Sequence, residues 1–188
     1  PAYLCDMLKK NGFMYVPLGV CGKHEPTDEL LHSSWLGTSQ YQDAKATVQA
    51  LADYFCDWLI VDHYAIDVEW HTAIKKTGKK ILVIDDLADR VLNCDILINQ
   101  NLGFSAKDYI GKVNVDTEVL LGPRYALLRP EFREWREFSL NRRKEPPKNC
   151  VLITMGGVDA KNYTLKVLES LERSLNAHKC EFLVVLGP

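Results

Sequence analysis

The sequence has no long apolar run and no excess of charge of either sign. No stretch approaches the ~18 consecutive apolar residues that a membrane-spanning helix needs. The net charge is only −2, so no overall field would concentrate nucleic acid or an anionic membrane near the protein. No basic segment followed by an apolar one marks a secretory signal. We therefore expect a cytoplasmic protein that binds neither nucleic acid nor membranes.

Cysteine pairs and cofactor fingerprints are also missing. The six cysteines include no C-x-x-C pair, and dense disulfide frameworks belong to small secreted chains, so we expect reduced thiols. There is no Walker A loop and no G-x-G-x-x-G fingerprint. Cys21, His24 and His32 could bind zinc, but no second ligand pair has finger-like spacing, and a polar loop is favoured. His71 is predicted to be a surface or partly packed residue. The sequence predicts no metal site and no cofactor.

Short apolar runs that alternate with helical patterns are what the sequence does contain. Helical spacing of apolar residues covers residues 2–10, 39–55 and 67–76. The apolar runs are short, rich in β-branched residues and unalternating, which indicates strands that are buried on both faces. This pattern predicts an α/β fold, a parallel Rossmann-type sheet with helices on both faces. The predicted strands cover residues 13–16, 58–61, 81–84, 96–98 and 119–121.

The composition changes between the first and the last parts of the chain. Residues 142–147 have no apolar face and contain two prolines, which is typical of a linker. Strand, turn and helix patterns then restart. We predict a first Rossmann-like domain over residues 1–140, a linker over 141–149, and the start of a second Rossmann-type domain over 150–188. Both ends of the sequence are interpreted as cuts within a longer protein.

Polar side chains follow several predicted strands, and ligands of open α/β sheets bind beyond the carboxyl ends of the strands. The alternative is that buried strands end in polar residues because water begins there. Asp85 and Asp86 could hold a divalent metal, although a strand end with one carboxylate capping the next turn is favoured. The strand-end candidates for substrate contact are Asp62, His63, Tyr64 and Asn99.

A pair of glycines, Gly156 and Gly157, separates a predicted strand from a predicted helix. Glycines at such a turn let backbone N–H groups approach a phosphate, and the helix that begins near Lys161 would direct its positive end at the anion. The alternative is a tight turn that only needs a positive φ angle. A lone Gly-Gly does not decide between the two.

Five segments of the chain, in this order and spacing, resemble one known family. They are Ile60-Val61-Asp62-His63-Tyr64, Asp85-Asp86, Cys94-Asp95-Ile96-Leu97-Ile98-Asn99, Tyr125-Ala126-Leu127-Leu128-Arg129-Pro130-Glu131-Phe132 and Met155-Gly156-Gly157-Val158-Asp159-Ala160-Lys161-Asn162. Together they resemble the UDP-sugar hydrolases of the pseudaminic acid pathway, which are also described as polysaccharide-biosynthesis or flagellin-modification proteins.

The resemblance implies a glycosyltransferase-B-like fold, in which two Rossmann-type domains face each other across a cleft. It implies hydrolysis of UDP-2,4-diacetamido-2,4,6-trideoxy-β-L-altropyranose to UDP and the free sugar, without a metal. Water attacks the anomeric carbon with inversion, and the base is a histidine in a glycine-rich loop after the first strand. That loop would lie upstream of Pro1, so this chain by itself is expected to be inactive.

The resemblance also implies roles for residues that are present here. Tyr64 matches an active-site tyrosine that contacts the sugar or the leaving diphosphate. Two other readings stay open: a glycosyltransferase of the same fold that uses a nucleotide-sugar donor, and a non-catalytic nucleotide-sugar-binding domain. The residues that match the diphosphate-binding region of the second domain are Gly156, Gly157, Asp159 and Asn162.

Overall fold

The computed structural model describes residues 2–19, 30–144, 149–157, 159–174 and 179–187. Contacts divide the chain into two compact units, Pro1–Leu127 and Leu128–Pro188. The sequence placed the end of the first domain later, at residue 140. The domain limits drawn from the sequence stay a prediction, and part of the predicted linker, residues 145–148, lies outside the described residues.

The described residues of the first unit contain three α-helices and a four-stranded sheet. Its helices are α1 (Ala2–Lys10), α2 (Gln40–Leu51) and α3 (Val68–Lys75). Its strands are β1 (Trp58–Val61), β2 (Lys80–Ile84), β3 (Ile96–Asn99) and β4 (Glu118–Leu121). The predicted strand over residues 13–16 is wrong, because these residues follow α1 without strand pairing. Four apolar residues in a row do not make a strand without a neighbour to pair with.

The four strands form one parallel sheet in the order β1-β2-β3-β4. Each strand therefore lies beside the strand that follows it in sequence, and the strand order does not reverse within the described sheet. Only β1 and β2 are joined through a regular α-helix, α3, whereas residues 85–95 join β2 to β3 without a helix. All four carboxyl ends lie at one edge, so the loops that follow β1, β2 and β3 are neighbours.

The core lies between one face of this sheet and the helices α2 and α3. Ile81 and Val83 of β2 are 0% and 1% exposed, and they share a buried cluster with Trp70 and Ile74 of α3. The expectation that the strands are buried on both faces is wrong for β1, where Ile60 is 66% exposed. An unalternating apolar run shows that a strand is apolar on both faces, but it does not show that both faces are covered.

Hydrogen bonds fix how α2 and α3 begin and how they meet. The Ser39 hydroxyl accepts from the Gln42 N–H at the start of α2, and the Asp67 carboxylate accepts from the Glu69 N–H at the start of α3. The Trp70 indole N–H donates to Asp43 of α2 at 2.8 Å. These contacts hold in place the loop between β1 and α3, which carries Tyr64.

His71 of α3 is fully buried, with 0% of its surface exposed. The prediction of a surface or partly packed histidine is therefore wrong. The side chain lies on the core face of the helix beside Trp70. Its Nδ1 accepts from the Asn93 N–H at 3.4 Å. A histidine on a helix gives no periodicity signal of its own, because its polarity hides which face it occupies.

The described residues of the second unit contain three α-helices and a two-stranded parallel sheet. They are α4 (Pro130–Glu134), α5 (Arg136–Arg142), β5 (Cys150–Thr154), α6 (Tyr163–Glu172) and β6 (Glu181–Val185). Strands β5 and β6 pair from Cys150 opposite Glu181 to Thr154 opposite Val185. This strand–helix–strand unit agrees with the pattern that the sequence showed from residue 150 onwards. No helix in the described parts of the chain is long and apolar enough to cross a membrane.

Candidate functional site

The structure brings three loops together at the carboxyl edge of the first sheet. The Tyr64 hydroxyl, from the loop after β1, donates to Asp86 Oδ1 at 2.7 Å in the loop after β2. The Asn101 side-chain N–H, from the loop after β3, donates to Asp86 Oδ2 at 2.9 Å. Asp86 therefore joins the other two side chains through its two carboxylate oxygens. The result is a polar cluster, Tyr64–Asp86–Asn101, at the edge where the sequence predicted a ligand site.

A buried network lies beneath this cluster and holds the same loops. Asp85 is 1% exposed and pairs with the Arg90 guanidinium at 2.8 Å. The Asp85 carboxylate also accepts from the Ala88 N–H at 2.9 Å. Ala88 has a φ of 50°, a conformation that a residue other than glycine adopts at a cost, so the carboxylate bond holds a strained turn. The capping interpretation of Asp85 is thus confirmed.

Tyr109 and Asn99 complete the buried network. The Tyr109 hydroxyl lies 3.0 Å from Asp85 Oδ2, and Asn99 donates to the same hydroxyl at 3.0 Å. The Asn99 side-chain oxygen, Oδ1, accepts from the Asn101 backbone N–H at 3.0 Å. Asn99 is 0% exposed, and both ends of its amide are bonded within the protein. Its visible role is to position Asn101, and contact between Asn99 and substrate stays a prediction.

The two other predicted residues of this edge differ in their surroundings. Asp62 directly follows β1 and is exposed to solvent. His63 is half-buried, and its Nδ1 accepts from the Ala65 N–H at 3.1 Å. Burial lowers the pKa of His63 below its usual value, and the charge of Arg90 acts in the same direction, against the opposite effect of Asp43. The ring is therefore neutral near pH 7, and its Nε2 carries the proton.

Tyr64 is held as a neutral phenol. Its hydrogen bond to Asp86 raises its pKa to about 12, and burial and the Asp86 charge act in the same direction. The proton of Tyr64 is committed to Asp86, so its oxygen is left to accept a hydrogen bond from a ligand. Such a group orients a bound molecule, but it does not act as a nucleophile at neutral pH.

An aromatic group lies directly beside the polar cluster. The ring centroid of Tyr64 is 5.4 Å from that of His32 and 5.9 Å from that of Trp35. The His32 and Trp35 rings are 4.6 Å apart. The sequence did not indicate this aromatic group, because no local pattern reports a contact between loops that are about 30 residues apart in the chain.

The second unit places three of the predicted nucleotide-binding residues together. Gly157, Asp159 and Asn162 line an open cavity of about 490 Å³ between the turn after β5, the start of α6 and Gly187. Gly156 has a φ of +78°, which favours glycine at this turn. The turn that the sequence offered as an alternative reading is therefore present, and nucleotide binding at it stays a prediction.

Side chains of the protein already accept hydrogen bonds from several backbone N–H groups at the start of α6. The Asp159 carboxylate accepts from the N–H groups of Tyr163 and Thr164 at 2.8 and 2.7 Å. These backbone bonds, above all the one from Thr164, lower the pKa of Asp159. The Asn162 side chain accepts from the Leu165 N–H at 3.4 Å. An anion at this turn would therefore depend on N–H groups nearer to Gly157 than to the helix.

Comparisons with known proteins agree with the resemblance at a coarse level. No family model matches the chain. Over 117 residues, 62% of the chain, it is 43% identical to the UDP-2,4-diacetamido-2,4,6-trideoxy-β-L-altropyranose hydrolase of Campylobacter jejuni. The chain is related to this hydrolase. It is also 33% identical, over 70% of its length, to an uncharacterized protein of Methanocaldococcus jannaschii.

The extent of these matches limits what they show. The matched region is 40% of the Campylobacter jejuni hydrolase and 27% of the Methanocaldococcus jannaschii protein. The chain thus spans less than half the length of the curated relatives it matches. The relationship supports a family-level link to the Campylobacter jejuni hydrolase.

Proposed function

We propose that this chain is part of an enzyme that hydrolyses a UDP-linked deoxy-diacetamido sugar to UDP and the free sugar. The observation that carries the proposal is the 43% identity to a hydrolase whose name states this substrate. A glycosyltransferase-B-like fold, a role in surface polysaccharide or flagellin modification and a cytoplasmic location belong to the same proposal. So does metal-independent attack of water on the anomeric carbon.

The charges at the carboxyl edge of the first sheet suit the sugar better than the diphosphate. Asp62 is exposed, and Asp86 is only partly buried. Arg90, the cation nearest to this edge in the bonds described above, is buried and paired with Asp85. Uncompensated carboxylates repel a diphosphate, whereas they accept hydrogen bonds from sugar hydroxyl groups and acetamido N–H groups. We therefore assign this edge to the sugar.

The glycine turn of the second unit suits the nucleotide. Gly157 faces an open cavity, and a Cβ added there would meet nothing within 4 Å. A phosphate can approach the backbone of such a residue closely, because no side chain stands in the way. We assign Gly156, Gly157, Asp159 and Asn162 to the UDP side of the substrate on this basis.

The chemistry of the reaction sets what each group has to supply. UDP is a stable leaving group, so the reaction depends less on a general acid than on positioned water and stabilised charge. A general base near neutral pH contributes on the order of 10²–10⁴-fold. His71 is buried and His63 has its Nδ1 occupied. The resemblance implies that the base is the histidine of the glycine-rich loop after the first strand, and the proposal keeps it there.

The test compares Tyr64→Phe with Tyr41→Phe in a polypeptide that extends upstream of Pro1. Tyr41 is 72% exposed on α2, so its substitution is a matched control. Loss of the Tyr64 hydroxyl should lower kcat/KM by roughly 10- to 100-fold. The substitution removes both the hydrogen bond that would position the ligand and the hydrogen bond to Asp86. The control should keep the activity of the unmodified protein. An unchanged kcat/KM in Tyr64→Phe would remove Tyr64 from the site.

Product analysis separates hydrolysis from the two other readings. Release of UDP and free sugar without an acceptor supports the hydrolase, whereas turnover only with an acceptor hydroxyl supports a transferase. Binding of UDP-sugar without turnover by the extended polypeptide would support the binding domain.

A further inference from the structure

Trp35 presents an indole ring to solvent beside the polar cluster. The residue lies in a single 3-10 turn, Ser33–Trp35, and 63% of its surface is exposed. The next residue, Leu36, packs against the buried core of the first unit. This turn is therefore anchored through Leu36, and the anchor keeps Trp35 on the outside. Folding does not require an exposed indole at this position.

The surroundings of Trp35 distinguish it from an isolated exposed aromatic residue. Single exposed apolar side chains are normal on protein surfaces. Trp35, however, lies against two more rings, those of His32 and Tyr64. Tyr64 is in turn fixed by its bond to Asp86. An aromatic surface thus meets a fixed set of hydrogen-bonding groups, the combination that ligand sites use to give both contact area and orientation.

We propose that Trp35, with His32 and Tyr64, forms an aromatic platform for the pyranose ring of an acetamido sugar. The C–H face of the sugar ring and its acetamido methyl group would lie against the indole. Asp86 would accept from a sugar hydroxyl or an acetamido N–H. The proposal rests on the proposed function, since it names the group that holds the sugar part of that substrate.

The hydrogen-bonding capacity of the cluster fits this ligand. Asn101 donates its side-chain N–H to Asp86, and its side-chain oxygen accepts no bond from the described part of the chain. The Tyr64 oxygen can also accept, because its proton is committed to Asp86. The cluster thus offers acceptors, and a sugar offers several O–H and N–H donors.

The experiment measures binding of UDP-N-acetylglucosamine and of UDP by calorimetry for the unmodified chain and two variants. Trp35→Ala removes the platform. Trp135→Ala is the matched control, because Trp135 is 62% exposed and lies in the second unit. We expect Trp35→Ala to weaken UDP-N-acetylglucosamine binding about tenfold, at the upper end of what one aromatic contact contributes. UDP binding should not change, and Trp135→Ala should change neither affinity.

The other outcomes overturn the proposal. Equal weakening of UDP and UDP-N-acetylglucosamine in Trp35→Ala would mean that the indole stacks on uracil. Unchanged affinities for both would mean that the surface takes no part in binding. Circular dichroism melting confirms that both variants fold.

The hydrolysis assay on the extended polypeptide keeps the two proposals apart. If Trp35→Ala weakens UDP-N-acetylglucosamine binding but the unmodified protein shows no hydrolysis, the platform is supported and the proposed function is refuted. Hydrolysis that is insensitive to Trp35→Ala supports the proposed function and refutes the platform.

Discussion

The buried histidine of α3 makes the stability of the first unit depend on pH. Burial lowers the pKa of His71 to about 3, and the charges of Arg90 and Lys75 act in the same direction. Its Nε2 has no hydrogen-bond partner within the described residues. In the unfolded chain the histidine titrates near pH 6.5. Between about pH 6.5 and pH 3 the unfolded state therefore holds a proton that the folded state does not.

The size of the effect follows from this difference. Above the pKa that His71 has in the unfolded chain, the free energy of unfolding is not reduced by this histidine. It falls as the pH drops from that value towards the pKa of His71 in the folded protein. At pH 5.5, one unit below the unfolded pKa, the free energy of unfolding should be lower by about 1.4 kcal/mol. The figure holds for any folded pKa well below 5.5, so it does not depend on the full extent of the shift.

The assay is urea denaturation at pH 7.5 and pH 5.5, followed by tryptophan fluorescence, for the unmodified chain and for His71→Asn. Asparagine can accept a hydrogen bond in place of Nδ1, but it does not titrate. Comparing the two pH values within each protein removes the constant cost of the substitution. We expect His71→Asn to lose about 1.4 kcal/mol of the pH dependence. A variant that keeps the whole dependence, or an NMR titration of His71 near pH 6.5, would refute the reasoning.

Four further substitutions test the rest of the structure. Arg90→Met should destabilise the first unit by about 3–5 kcal/mol in urea denaturation, because it leaves the buried Asp85 carboxylate without its cationic partner. Tyr109→Phe should cost about 1–3 kcal/mol in the same assay, because it removes a buried hydroxyl that bridges two polar groups. Gly157→Val should weaken UDP binding by about tenfold or more in calorimetry without unfolding the protein, since its Cβ meets no atom within 4 Å. Gly187→Ala is the contrasting change and should lower the melting temperature, because its Cβ would collide with the Gly157 carbonyl oxygen.

The sequence predicted the sheet of the first unit well. All four apolar runs from residue 58 onwards became strands, and all pair in parallel. Their positions could be predicted because a continuous apolar run has to be buried, and the polar residue that ends the run marks where burial ends. The same signal failed at residues 13–16, where nothing among the described residues pairs with the run.

Burial was harder to predict than secondary structure. Phe55 has helical spacing from Val48 and Leu51, but α2 ends at Leu51 and Phe55 is 97% exposed. The opposite error was made for His71, which was predicted to be a surface or partly packed residue but is fully buried. Both errors have one cause, because periodicity reports which residues share a face but not what lies against that face.

The candidate site was predicted in part. The strand-end rule correctly placed Tyr64 and Asp86 at one edge, because all carboxyl ends of a parallel sheet point the same way. The roles of Asp85 and Asn99 in the buried network required coordinates, since one carboxylate faces Arg90 and its neighbour in sequence faces Tyr64. Adjacent residues at a strand end point to opposite sides, and the sequence does not say which side holds the ligand.

The sequential strand order has a consequence for how the first sheet is made. Trp58 pairs with Lys80, Leu82 with Ile96, and Ile96 with Glu118, so every pairing closes a short stretch of chain. Short closures carry a small entropic penalty and form early. Each strand after β1 can therefore join the sheet as it leaves the ribosome, because its partner of the preceding pairing has already been synthesised.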